Sequence, residues 1–163
     1  ERFGVPWVNL RLFNIFGRYE DGGRLLPTLV ARLSRGERAE VSHGEQLRDF
    51  NDVGDIADAF RLALAAPPSA CDAVYHIGTG RTTSVREYAG LVAETVGDPS
   101  LIRFGASRTR DDELPSLVAD PSRARAALGW RSDDVLEERV RAAAAWWLER
   151  LATPAAAQEE CHR

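Results

Sequence analysis

Val8, Leu10 and Leu12 alternate with Asn9, Arg11 and Phe13, a period of two that predicts a largely buried strand near the start of the chain. Gly22-Gly23 then marks a loop. Pro27 sits where a helix can begin and Gly36 where it can stop, with Leu26, Leu29, Val30 and Leu33 as the apolar stripe between them. Residues 38–42 and 46–50 read as short strands around the turn His43-Gly44. From Val53 to Ala66 the period becomes helical: Ile56, Ala59, Phe60, Ala63 and Leu64 share one face, Asp52 is placed to cap, and Pro67-Pro68 ends the run. Residues 73–78 read as a second buried strand. Ser84 and Glu87 have the spacing of a capping box, ahead of a helix that turns Tyr88, Leu91, Val92 and Val96 inward and ends at Gly97. Residues 101–104 form a candidate strand, and Asp120-Pro121 opens a short helix closed by Gly129. A last helix runs from Val135 to Leu151, with Leu136, Val140, Ala143, Ala144, Trp147 and Leu151 on one face. Strands alternating with helices predict an α/β fold with a parallel sheet, though two buried strands are too few to make such a sheet stable.

Composition narrows the chemistry. The net charge of −4 argues against a nucleic-acid-binding surface, which carries a basic excess. No apolar run approaches the ~18 residues of a membrane span, and no signal-peptide pattern opens the chain. Cys71 and Cys161 lack metal-ligand spacing, as do His43, His76 and His162, so neither a disulfide framework nor a metal site is expected, and a reducing cytoplasm fits. All 21 basic residues are Arg. A reaction that needs a lysine ammonium therefore has to find it outside these residues. The chain contains no Met, which predicts a piece of a longer translation product.

Three places carry polar groups suited to a ligand. Asn14 ends the first strand, where a sheet of parallel strands meets its ligands; it can equally bond its own turn. Arg48 lies between Leu47 and Phe50 in GEQLRDF, where its planar fork can meet a phosphate or pair with Asp49 or Asp52. Arg110 and Glu113, three residues apart in RTRDDELPSLVAD, can meet a diphosphate and a ribose diol or form a solvated charge run. There is no Gly-x-Gly-x-x-Gly after a strand, no Walker loop and no Ser-His-Asp pattern.

The order RLFNIFG, LLPTLV, GEQLRDF with VGDIADAF, VYHIGTGRTTSVREYA, RDDELPSLVAD and ALGW resembles the carboxyl-terminal half of the NAD-dependent epimerase/dehydratase family, the extended short-chain dehydrogenase/reductases that act on nucleotide sugars. The resemblance covers residues 3–150. It implies late strands of a Rossmann-type parallel sheet plus a small α/β substrate-binding lobe. Residues 1–17 and 46–86 would belong to the Rossmann domain, 18–45 and 87–150 to the lobe, and 151–163 would be a disordered tail. By the same resemblance, Asn14, Arg48 and Arg110 would contact the diphosphate, Glu113 the ribose, and Leu26 and Pro27 would lie along the nucleotide. Arg11, Leu12 and Phe13 would pass the nicotinamide end of the cofactor.

The family's glycine-rich cofactor loop and its Tyr-x-x-x-Lys pair are absent from these residues, so no catalytic residue is assigned, and NAD or NADP would be bound mainly by an amino-terminal half. Asn51, Asp52 and Gly54 replace residues common after the family's Arg-Asp-Phe, and Arg18 stands where many members have Pro. The implied parent is a bacterial, cytoplasmic NAD(P)-dependent enzyme, homodimeric when intact, that passes hydride between C4 of a nucleotide-linked sugar and nicotinamide. An NDP-4-keto-6-deoxyhexose reductase or an NDP-sugar 4-epimerase fits the wording best. A 4,6-dehydratase and a non-catalytic nucleotide-sugar binding protein are the alternatives.

Overall fold

The computed structural model describes residues 4–108, 112–132 and 135–153. Its elements, in chain order, are β1 (Val8–Leu12), β2 (Ile15–Phe16), α1 (Leu25–Leu33), β3 (Ala39–Val41), β4 (Leu47–Arg48), β5 (Asn51–Asp52) and α2 (Val53–Leu64). There follow β6 (Ala73–Ile77), β7 (Thr83–Ser84), α3 (Val85–Val96), β8 (Ile102–Phe104), β9 (Ser116–Leu117), α4 (Ser122–Leu128) and α5 (Leu136–Ala152). This is the α/β class read from the alternation. The chain divides into two compact units that it visits in turn. One comprises Glu1–Ile15, Leu47–Thr83 and Leu114–Asp134; the other comprises Phe16–Gln46, Ser84–Glu113 and Val135–Arg163. The described residues of Leu114–Asp134 fall in the first unit. The physical reason is apolar: Ala124, Leu128 and Trp130 are buried in the first unit's core.

In the first unit, β1 and β6 run parallel, with Val8 beside Ala73 and Leu12 beside Ile77. A parallel pair needs a long crossover, and α2 lies on that path, packed against β1 and α4. Ile56, Ala59, Tyr75, Ile77, Ala124, Leu128 and Trp130 form the core, with Val8 and Leu10 against it. The indole N–H of Trp130 donates to the Asp55 carbonyl at 2.9 Å and the Ser132 hydroxyl to the Asp55 carboxylate at 2.7 Å, which fastens the segment after α4 to the first turn of α2. Asp52 caps α2 as expected, accepting from Gly54 N–H at 2.7 Å.

Two expectations fail here for one reason. β1 is not largely buried, because β6 is its one strand partner among the described residues; Asn9, Arg11 and Leu12 are exposed. The inward face of α2 is Asp55, Ile56 and Ala59, while Phe60 and Leu64 are 50% and 90% exposed. A helical stripe shows which residues are apolar, but a core exists only where another element covers them.

In the second unit, α1, α3 and α5 pack on one another and β3 pairs in parallel with β8, Ala39 beside Ile102. The short strands around His43-Gly44 therefore do not pair with each other: β3 takes β8, and β4 takes β9 with Leu47 beside Ser116. The Ser84–Glu87 capping box forms as read, with Ser84 Oγ accepting from Glu87 N–H at 3.1 Å and the Glu87 carboxylate accepting from Ser84 N–H at 2.8 Å. The bond from Ser84 N–H, with a second from the Ser84 hydroxyl to the same carboxylate at 2.8 Å, favours the charged Glu87 and holds its pKa below the usual carboxylate range. Val140, Ala143, Ala144 and Trp147 of α5 are buried as predicted, but Leu151 is exposed. The indole of Trp147 donates to the Gly17 carbonyl at 2.9 Å. Of the expected disordered tail, residues 154–163 lie outside the described residues.

Candidate functional site

Parallel strands end together, and the first unit collects its polar groups where β1 and β6 do. Asn14 follows the carboxyl end of β1, and the turn Gly78-Thr79-Gly80 follows that of β6. Between them Asp49 is fully buried, at 0% exposure. One of its carboxylate oxygens accepts from Thr79 N–H at 3.0 Å, the Thr79 hydroxyl at 2.7 Å and the Asn51 side-chain amide at 3.2 Å. The other accepts from Gly80 N–H at 2.9 Å and Ala119 N–H at 3.1 Å. Consecutive backbone N–H groups turned to one side form an anion nest. Here the anion is internal, because the Asp49 side chain fills the nest that Thr79 and Gly80 build.

Gly78 makes that approach possible. A methyl group on its α-carbon would lie 2.5 Å from Ala119 Cβ and 2.6 Å from an Asp49 carboxylate oxygen. Gly78→Ala is expected to lower the unfolding free energy by about 1–3 kcal/mol, the usual cost of overpacking. A urea melt followed by circular dichroism reads this as a lower midpoint; an unchanged midpoint would mean that the turn yields without loss.

The amide nitrogen of Asn14 is buried and finds no hydrogen-bond partner among the described residues. The Asn14 backbone carbonyl accepts from Asn51 N–H at 3.0 Å. A donor buried without an acceptor costs about 1–3 kcal/mol, which makes it a group suited to a ligand. Arg48, 9% exposed, donates from one guanidinium nitrogen to the carbonyls of Leu47 at 2.8 Å and Leu114 at 2.9 Å. These bonds fasten its side chain along β4 and the approach to β9. Arg11 and Leu12 are exposed on β1. Phe13 is half-buried, with its ring edge-on to His76 at 5.6 Å and its N–H donating to the Ile77 carbonyl at 3.2 Å. Beyond this turn Asp120 accepts from Ser122 N–H at 3.0 Å, a bond that lowers its pKa.

Asn14, Arg48 and Arg11 to Phe13 thus fall in the first unit, and Leu26, Pro27 and Glu113 in the second. Leu26 and Pro27 are buried in the first turn of α1. Glu113 is half-buried and accepts from the Gln46 side-chain amide at 3.3 Å. Arg110 lies outside the described residues. Sequence reading missed the role of Asp49 and of Asn51. Asp49 was visible only as a charge next to Arg48; the signal that could have found it is an acidic residue inside an apolar strand, facing a Gly-Thr-Gly turn. Among the described residues no cluster of His, Cys, Asp and Glu could hold a metal ion, and no helix is long and apolar enough to cross a membrane.

The chain is similar to known proteins in sequence and fold. The model of the NAD dependent epimerase/dehydratase family matches residues 1–79. The chain is 26% identical over 137 residues to CDP-abequose synthase of Salmonella muenchen, covering 84% of this chain and 46% of that protein. It superposes on UDP-glucose 4-epimerase of Thermotoga maritima, solved with UDP-glucose, with a TM-score of 0.83 and 26% identity, over 91% of this chain and 48% of that one. It also superposes on the Bordetella bronchiseptica enzyme WbmG, solved with NAD and UDP, with a TM-score of 0.73 and 29% identity, over 90% of this chain and 44% of that one. The chain spans about half the length of the proteins it matches.

Proposed function

We propose, from the match of residues 1–79 to the NAD dependent epimerase/dehydratase family and the likeness to its relatives, that this chain is the substrate-binding carboxyl-terminal half of an NAD(P)-dependent enzyme of that family that modifies a nucleotide-linked sugar. The observation that carries the reading is the amide nitrogen of Asn14 at the carboxyl end of β1, buried and without a hydrogen-bond partner among the described residues. A diphosphate oxygen supplies the acceptor which that donor lacks, and a guanidinium such as that of Arg48 supplies charge, so the anion can be held without a metal. Holding the diphosphate fixes the sugar beyond it in one orientation, and that is how a remote group contributes to the rate. On this reading Arg110, Glu113, Leu26 and Pro27 are further contacts of the nucleotide.

The residues described here do not by themselves fit a dinucleotide. The Thr79-Gly80 amides are filled by Asp49, and the chain contains no lysine. NAD or NADP then rests mainly on an amino-terminal half, with Arg11, Leu12 and Phe13 at its nicotinamide end. A 4-keto-6-deoxyhexose reductase or a 4-epimerase, acting as a cytoplasmic homodimer, is the form of this proposal that the motifs favour.

Arg48→Ala tests it. In the longer protein, this change is expected to weaken binding of a nucleoside diphosphate by about 1.5–3 kcal/mol, the worth of a charged hydrogen bond. Calorimetry with UDP, CDP and dTDP, well below the melting temperature, measures it. The lost bonds to Leu47 and Leu114 should also lower the melting temperature. Unchanged affinity with a lowered melting temperature would make Arg48 a clamp of the fold alone.

A further inference from the structure

We infer that Asn51 is a positioning residue, which sets the direction in which Asn14 presents its amide. The inference rests on the reading of Asn14 as a diphosphate contact. Asn51 is 1% exposed, and its side-chain nitrogen donates to the Phe13 carbonyl at 3.0 Å and the Asp49 carbonyl at 2.7 Å. Its backbone N–H donates to the Asn14 carbonyl at 3.0 Å. The Phe13 carbonyl belongs to the peptide group before the α-carbon of Asn14, and the Asn14 carbonyl to the peptide group after it. Asn51 therefore ties down both peptide planes around one residue. Two restrained peptide groups narrow the φ and ψ open to Asn14, and the Cα–Cβ bond direction follows from them.

The alternative is that Asn51 merely fills space. Its side-chain oxygen argues otherwise: it is buried with no hydrogen-bond partner among the described residues. An aliphatic side chain of similar size would fill the space without leaving an acceptor unmet. An aliphatic residue would also keep the backbone bond to Asn14 and lose the one to Phe13, releasing the peptide plane on one side only. The tether has a firm base. Asp49, which receives the Asn51 amide, is itself held by the amides of Thr79, Gly80 and Ala119. The position of Asn14 is thus referred to the end of β6 and the segment after β9.

A double-mutant cycle in the longer protein, with UDP as the probe, tests the inference. Asn14→Ala and Asn51→Leu are each expected to weaken UDP binding about tenfold, and the double variant to bind no more weakly than Asn14→Ala alone, because Asn51 acts through Asn14. Losses that multiply, or an Asn51→Leu variant that binds like the wild type while Asn14→Ala does not, would overturn the role of Asn51 and leave the reading of Asn14 intact. If Asn14→Ala has no effect, the reading of Asn14 fails and the inference falls with it. Asn51→Ser, read in the same cycle, serves if the leucine variant does not fold. Melting temperatures of all variants separate a loss of fold from a loss of aim, since a purely structural role moves melting and not the coupling.

Discussion

Replacing Asp49 by alanine is expected to destabilise the protein by about 3–5 kcal/mol, the scale for removing one partner of a buried charged network. The side chain is fully buried and accepts five hydrogen bonds, three of them from backbone N–H groups of Thr79, Gly80 and Ala119. Alanine leaves those three donors without an acceptor in a place where the folded chain offers no other. Each orphaned group costs about 1–3 kcal/mol, and a domain with a total of about 5–15 kcal/mol tolerates few such losses. Asp49→Asn should lose less, since one oxygen still accepts, but its amide nitrogen then faces donors. Urea unfolding of both variants followed by circular dichroism is the measurement. An Asp49→Ala midpoint equal to the wild type would show that the turn after β6 holds its shape without the carboxylate.

The second large effect concerns the 163-residue chain on its own, which is expected to turn over no nucleotide sugar with either oxidised or reduced nicotinamide supplied. No lysine is available to lower the pKa of a catalytic tyrosine, and no glycine-rich cofactor loop follows a strand. The chain is also expected to associate. Val53, Ala57, Phe60 and Leu64, spaced by four, three and four residues, form an exposed apolar stripe on α2, and Trp7, just before β1, and Leu12 on it are exposed, β6 being the one partner strand of β1 among the described residues. Covering a Phe or Leu side chain is worth about 1.5–3 kcal/mol. Activity assays and analytical ultracentrifugation of the purified chain check the two parts. Turnover by the chain alone would end the assignment of catalysis to an amino-terminal half. A monomer with a cooperative melt would show that the first unit needs no further cover.

Local order was legible in the residues themselves. The Ser84–Glu87 box, the Asp52 cap and the Gly129 turn depend on side chains within a few positions of the backbone they serve, so reading them needs no knowledge of distant contacts. Asn14 was likewise visible as a polar group at a strand end, and Arg48 as a cation inside a short apolar strand. Which residues are covered was not visible. Phe60 and Leu64 have the same apolar character as Ile56 and Ala59, and only the placement of β1, β6 and α4 decides which face of α2 is the core. Strand partners were equally out of reach: β3 and β4 are neighbours in the chain, yet each pairs in parallel with a strand more than sixty residues later. The polar network around Asp49 goes furthest beyond the sequence. Its donors come from positions 51, 79, 80 and 119. Backbone amides carry no signature in the residue alphabet, so a carboxylate that serves them looks, until the chain is folded, like any other charge.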